Sequence, residues 1–367
     1  MNKLLNFLMK FPWFLFTAST FLFVVGILAL YSASEGSWTP WAEKQLYRSL
    51  VGISIIFFIS IIPMKWIYNS SYFIFVLSLV FLILVQFFGV GIGATRWINF
   101  AGFNFQPSEP SKIAIILILA KYFSDKTPEE IQSFFYYIPP FIFVGLPFIL
   151  VFLQPDLGTS MMLLIGSLSV ILIAGIPRWI VISGFIISCF SAPLIWTQLY
   201  DYQKSRILTF LNPGTDNLGA GYQIAQSKIA LGSGGFFGKG FLMGSQSQLN
   251  YLPEKETDFV FTMIGEEFGF FGNLLILVAY FIILLSINFI SIKSNSRFAT
   301  LLCFGISVMI FLYVFVNVAM VTGILPVVGA PLPLISYGGT AMLTVFIGLG
   351  LVANSSVNIS CEDRDLL

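Results

Sequence analysis

Five acids and one lysine fall between Asn250 and Gly269, in NYLPEKETDFVFTMIGEEFG, just before a long apolar run. Carboxylates gathered beside an apolar segment suggest chemistry at a membrane surface, with Asp258 at its centre. The bland alternative for Asp258 is an ordinary acid at a helix start, favoured there by the macrodipole. Glu266 and Glu267 follow eight and nine residues later. On a continuous helix they lie roughly 80° and 180° from Asp258 at 100° per residue, so both cannot face one cavity. One of the two is expected to be structural.

Two further polar groups interrupt apolar sequence. In QPSEPSK, Gln106–Lys112, Ser108 or Glu109 suits a helix cap and Pro110 its first turn. Glu109 and Lys112, three apart, share a helix face. In QPDLGTS, Gln154–Ser160, Asp156 stands at a helix start. Ionisable groups close to hydrocarbon are paired or functional, so Lys112 and Asp156 are expected to pair, either as a structural tie between two helix ends or as the floor of a cavity.

What is missing is equally informative. The chain has no histidine, which removes the commonest general base and metal ligand and excludes Ser-His-Asp and Cys-His catalysis. Its three cysteines are far apart, so no disulfide framework or zinc spacing exists. Net charge is +1, which points to no nucleic acid or other charged partner.

The elements that must carry these groups are membrane helices. The 367 residues are 57% hydrophobic and 10% charged, with mean hydropathy +0.91, against about 45–50% and 25% in soluble domains. An all-α polytopic membrane protein follows, a single domain over 1–367. Ten spans are expected, near 11–31, 46–63, 67–89, 110–123, 135–153, 157–175, 178–197, 268–291, 298–321 and 334–353. The first is too long for a cleaved signal peptide. With the N-terminus inside, inner segments hold nine Lys/Arg and short outer segments four, so both termini are expected in the cytoplasm. The long segment 198–258, between the seventh and eighth spans, then lies outside, rich in glycine at 232–240 and carrying Lys239. Those glycines suit either a hinge or a loop that approaches phosphate. The proline-rich stretch Gly323–Ser336 must be buried in protein or line a wet cavity.

The motifs TRWI (95–98), QPSEPSK (106–112), QPDLGTS (154–160), RILTFLNPGTD (206–216), GYQIAQSKIALGSGGFFGKG (221–240), SQSQLNYLPEKETDFVF (245–261), GEEFGFFG (265–272) and LPVVGAPLPLISYGGT (325–340) span most of the chain. In this order they resemble the SEDS family of cell-wall polymerases, and SQSQLNYLPE with PVVGAPLPLISYGG is more similar to its rod-elongation branch than to its division branch. The resemblance implies ten transmembrane helices in the bacterial cytoplasmic (inner) membrane and an extracytoplasmic active site. It implies peptidoglycan glycosyltransfer from lipid II and a class B penicillin-binding protein, a transpeptidase, as partner.

By motif match Asp258 is the catalytic aspartate, Lys112 and Asp156 the family's ion pair, and Arg96, Trp97 and Glu109 cavity residues. Glu256 stands where the family often has histidine, which raises the pKa of Asp258 by like-charge repulsion. Within this reading Asp258 is the general base, and Arg48, Arg96, Lys112 and Lys239 are candidates for the diphosphate. Arg48 as a headgroup anchor and Lys239 as a solvated lysine are the plain alternatives. Diphosphate and carboxylates would also accept a divalent cation, Mg or Mn, though no dedicated metal motif is present. Two rivals stay open. A lipid-linked precursor transporter predicts mid-membrane charges and a repeat; a non-enzymatic scaffold for a transpeptidase predicts that Asp258→Asn is harmless.

Overall fold

The computed structural model describes residues 7–90, 96–100, 103–126, 134–212, 219–249, 251–252 and 254–358. Parts of the motifs quoted above, Thr95, Pro213, Gly214 and Pro253 among them, lie outside these ranges, as do Lys3 and Arg364 of the inner cations.

The described chain is helical apart from one small hairpin. Its helices are α1 Trp13–Ala33, α2 Trp41–Ile61, α3 Met64–Phe88, α4 Ser108–Ser124, α5 Ile138–Leu153, α6 Leu157–Ala174, α7 Arg178–Gln198, α8 Asp201–Leu211, α9 Ala220–Ser233, the single turn α10 Ser245–Gln248, α11 Val260–Lys293, α12 Arg297–Val321 and α13 Gly339–Asn358. Strands β1 (Ile98–Phe100) and β2 (Phe103–Phe105) pair antiparallel between α3 and α4. Each of the ten apolar segments expected from the sequence holds one of the longer helices. Eight are long and apolar enough to cross a membrane, so the protein is multi-pass.

The short fourth segment occupies the centre. Helix α4 buries all but one residue from Ser108 to Ala120, as a helix apolar all round must. It packs against α3, α6 and α12; α12 in turn touches α11 and α13, and α13 lies along α2. The Ser356 hydroxyl donates to the Lys10 carbonyl at 2.7 Å, so residues 10 and 356 share one end of the bundle. Gly339, at the other end of α13, lies roughly 25 Å away at 1.5 Å per residue.

Helix α11 begins at Val260, eight residues before the expected start, and is broken at Gly269, with φ 69° and ψ −164°. The break is filled by the glycine-rich loop. The amides of Lys239 and Gly240 donate to the carbonyls of Glu266 and Glu267, each at 3.0 Å, while the amides of Phe270 and Phe271 donate to Gly235 and Phe236. The helix therefore loses no backbone hydrogen bonds where it opens. A Cβ at Gly238 would sit 2.0 Å from the Glu267 carbonyl oxygen, so only glycine allows this approach. The stretch 232–240 is thus neither a hinge nor a phosphate loop. It is a plug for a broken helix.

Candidate active site

A cavity of about 810 Å³ opens at the end of the bundle away from residues 10 and 356, within the roughly 300–1,000 Å³ typical of small-molecule sites. The starts of α2, α4, α6 and α13, the end of α12, and α8 and α9 from above all contribute to its wall. Segment 198–258, expected as a long loop, is largely helical, and α9 is tied down where Ser227 donates to the Val321 carbonyl at 2.7 Å.

Asp258 lies on this wall, two residues before α11 begins. Among the described residues no hydrogen bond or ion pair reaches its carboxylate. Burial, reinforced by Glu254 and more weakly by Glu256, pushes its pKa up to about 7, against the opposing pull of Arg206 and Arg96. The effect expected of Glu256 is present, but desolvation is the larger cause. Gly329, with φ +76°, stands opposite: a Cβ there would lie 3.5 Å from the Asp258 Oδ2.

The cations take unexpected partners. Lys112 does not pair with Asp156. Its Nζ lies 2.8 Å from the Glu109 Oε1, on the helix face the two residues share, and it also donates to the Tyr313 hydroxyl, which donates to the other Glu109 oxygen. Glu109 and Lys112 are both buried, so this closed triangle offsets two costly desolvations. Asp156 pairs instead with Arg96, whose Nε lies 3.5 Å from Oδ2. It also caps α6 by accepting from the Thr159 amide at 3.2 Å and the Thr159 hydroxyl at 2.9 Å. Both pairs line the same cavity. At the start of α4 the N-cap is Pro107, with no side-chain cap, while Pro110 does sit in the first turn.

Arg96 and Trp97 are delivered by the hairpin, whose base is extended by the Val90–Trp97 bridge. Arg96 also donates to the Pro155 carbonyl at 3.0 Å. Arg48 stacks 4.5 Å above the Tyr337 ring and donates to its hydroxyl at 3.3 Å. The Arg48 Nη1 is buried without a hydrogen-bond partner. Donors left unmet at a cavity are poised for a ligand acceptor.

Lys239 is not part of this wall. Its Nζ contacts Glu266 Oε1 at 2.7 Å, and Glu266 also accepts from Ser245 and from the amides of Gln246 and Ser247. Glu267 accepts from Ser32. Neither glutamate lines the cavity; both are structural, and the angles counted from Asp258 do not apply because Asp258 lies in the turn before α11 begins at Val260.

Residues not singled out from the sequence complete the wall: Lys44, Arg206, Gln223, Glu254, Tyr313 and Tyr337. Arg206, Gln223, Glu254 and Tyr337 lie inside quoted motifs. Tyr313 carried no signal at all, being one aromatic in an apolar helix.

Comparison with known proteins agrees with this geometry. A family model described as a cell cycle protein, covering FtsW, RodA and SpoVE, matches residues 6–360. The chain belongs to the SEDS family. It is 38% identical over 335 residues to the peptidoglycan glycosyltransferase MrdB of Escherichia coli K12, covering 90% of this chain and 89% of that one. It is 35% identical over 355 residues to the stage V sporulation protein E of Bacillus subtilis, covering 91% and 94%. Among solved structures, one described as the structural coordination of polymerization and crosslinking by a peptidoglycan synthase complex superposes with TM-score 0.83 at 26% identity, covering 96% of this chain and 99% of that one. The rod shape determining protein RodA of Thermus thermophilus shares the fold, with TM-score 0.72 at 24% identity over 95% and 98% of the chains.

Proposed function

We propose that this SEDS protein is an inverting peptidoglycan glycosyltransferase that polymerises lipid II, with Asp258 as general base. The observation that carries the base assignment is a carboxylate without hydrogen-bond partners, its pKa raised to about 7, on the wall of an arginine-bearing cavity. A base poised near the working pH contributes roughly 10²–10⁴-fold. The relatives' activity and the elongation-type motifs support the same reading.

In the proposed step the 4-hydroxyl of one sugar attacks the anomeric carbon of the growing chain. The bond from that carbon to the diphosphate oxygen breaks, the centre inverts to give a β-1,4 link, and the hydroxyl proton passes to Asp258. The lipid diphosphate departs with the bonding electrons. Arg48, Arg96 and Arg206, with Lys112 deeper, supply positive charge where that oxygen becomes anionic. The Arg48 Nη1, without a partner of its own, would donate to it. Trp97 and Glu109 line the same cavity.

Among the described residues no three metal-ligating side chains cluster. A Mg or Mn ion would enter with the diphosphate as part of the substrate, and no step here runs through it.

The proposal places α4 and α7 across the bilayer as well, giving ten spans in the bacterial inner membrane. Both termini are then cytoplasmic, with the cavity and segment 198–258 extracytoplasmic. The partner is a class B penicillin-binding protein transpeptidase. The test is a polymerisation assay with purified chain, lipid II and a divalent ion, with and without that partner, resolving glycans by gel. Long glycans support the reading. No glycans with partner bound, together with lipid II movement across vesicles, would favour the transporter.

A further inference from the structure

Three successive carbonyls leading into the Asp258 turn are held from two distant parts of the chain, residues 336–337 and Asn317. The Tyr337 amide donates to the Glu256 carbonyl at 2.8 Å. The Ser336 hydroxyl donates to the Thr257 carbonyl at 2.6 Å. The Asn317 amide nitrogen donates to the Asp258 carbonyl at 2.9 Å and to the Ala330 carbonyl at 2.7 Å. Asn317 is fully buried near the end of α12, and Ser336 is buried in the irregular segment before α13. Backbone bonds of this kind fix a residue while leaving its side chain unengaged, which is the condition of the Asp258 carboxylate.

The holding segment is itself immobilised. Ser336 accepts from the Leu332 amide at 2.7 Å. Tyr280 of α11 donates to the Pro333 carbonyl. Gly26 of α1 lies so close that a Cβ there would sit 2.8 Å from the Ile335 Cα. Leu334 and Glu254, on either side of the contact, both take positive φ, +66° and +60°. Such backbone persists only where its surroundings over-determine it.

We propose that Asn317 and Ser336 are positioning residues for Asp258: they hold its backbone so that an unbonded carboxylate faces the reacting hydroxyl. The inference rests on Asp258 as base. The orientation of the Asn317 amide follows from its surroundings, since two carbonyls at one atom require the NH₂ group there. An aspartate at 317 would keep the shape and lose both donors. Neither residue lines the cavity, so loss of the clamp acts on the base and leaves substrate capture intact.

The experiment measures lipid II polymerisation by the full chain with its transpeptidase partner across pH. It compares Asn317→Asp, Ser336→Ala and Ser336→Thr with wild type, at equal folded concentration. Expected is a fall in kcat of roughly 10- to 100-fold for Asn317→Asp and Ser336→Ala, the scale of a misplaced catalytic group. KM should stay within about twofold for the same reason. The acid limb of the pH profile should shift toward the ordinary carboxylate range as Asp258 gains water, and Ser336→Thr, which keeps a hydroxyl, should retain most of the rate. An unmoved acid limb with unchanged kcat would overturn the proposal. So would a loss that Ser336→Thr shares in full. If Asn317→Asp does not fold, the Ser336 pair decides on the same readouts. Asp258→Asn run alongside separates the two failures: an active Asp258→Asn sinks the base itself, whereas an inactive one beside unaffected clamp variants sinks only the clamp.

Discussion

Arg96 and Asp156 form an ion pair at 3.5 Å that joins the hairpin to the first turn of α6 and leaves Lys112 to Glu109. One charge orients the other: Asp156 holds the guanidinium at the cavity edge, with the Nε turned toward its carboxylate. Asp156→Asn is therefore expected to raise the KM for lipid II by roughly 10- to 100-fold, the scale of one charge-assisted bond of about 1.5–3 kcal/mol. Arg96→Lys should do much the same, because a point charge cannot keep both the Pro155 contact and the phosphate. Steady-state kinetics on both variants check this; an unchanged KM in each would remove Arg96 from the substrate site.

The raised pKa of Asp258 sets two pH dependences of opposite sense. As a base it works deprotonated, so polymerisation should rise with pH through about 7 and then level off. Stability runs the other way. The folded-state pKa lies above the unfolded value, so between about 4 and 7 the native state binds more protons, and stability falls as pH rises through that window. Asp258→Asn should abolish the acid limb and raise Tm at pH 8 more than at pH 4. Thermal unfolding in detergent at the two pH values measures the second effect.

The buried triangle of Glu109, Lys112 and Tyr313 predicts an asymmetric response. Glu109→Gln leaves the Lys112 ammonium buried without its anion and should cost about 3–5 kcal/mol. Adding Lys112→Met to Glu109→Gln removes the uncompensated charge and should recover a good part of that loss. A double variant no more stable than the single one would contradict the triangle.

Lys239 distinguishes a structural from a substrate role. Lys239→Met should lower stability by about 1–3 kcal/mol through its charged hydrogen bond to Glu266. It should leave the KM for lipid II unchanged per folded molecule. A raised KM at full stability would return Lys239 to the substrate site.

How far the sequence reaches is clear from these same residues. Glu109, Lys112 and Asp156 stand out because charge is rare in apolar sequence, and helix spacing places them at one end of the bundle. Their pairing was not legible. It depends on a hairpin that carries Arg96 to Asp156 and on Tyr313, an aromatic indistinguishable from its apolar neighbours before α4 and α12 are packed. Arg206 was hidden for the opposite reason, one cation among many polar residues in a segment that turned out to be helical. Glu266 and Glu267 were misjudged because Asp258 precedes α11 and is not on its helix, and Lys239 because the break at Gly269 admits the loop 235–240 and brings its ammonium to Glu266. Gly323–Ser336 satisfies both expectations for irregular backbone at membrane depth: residues 327–331 line the cavity and Leu334–Ser336 are buried.

The most direct measurement is lipid II polymerisation by Asp258→Asn beside wild type, each bound to the transpeptidase partner and matched for folding. Asparagine keeps the shape and removes the base. Expected are long glycans from wild type and a loss of roughly 10²–10⁴-fold in the variant, at unchanged partner affinity. Glycans of equal length and amount from both proteins would contradict Asp258 as the base and transfer that role to Glu254 or Glu256 beside it.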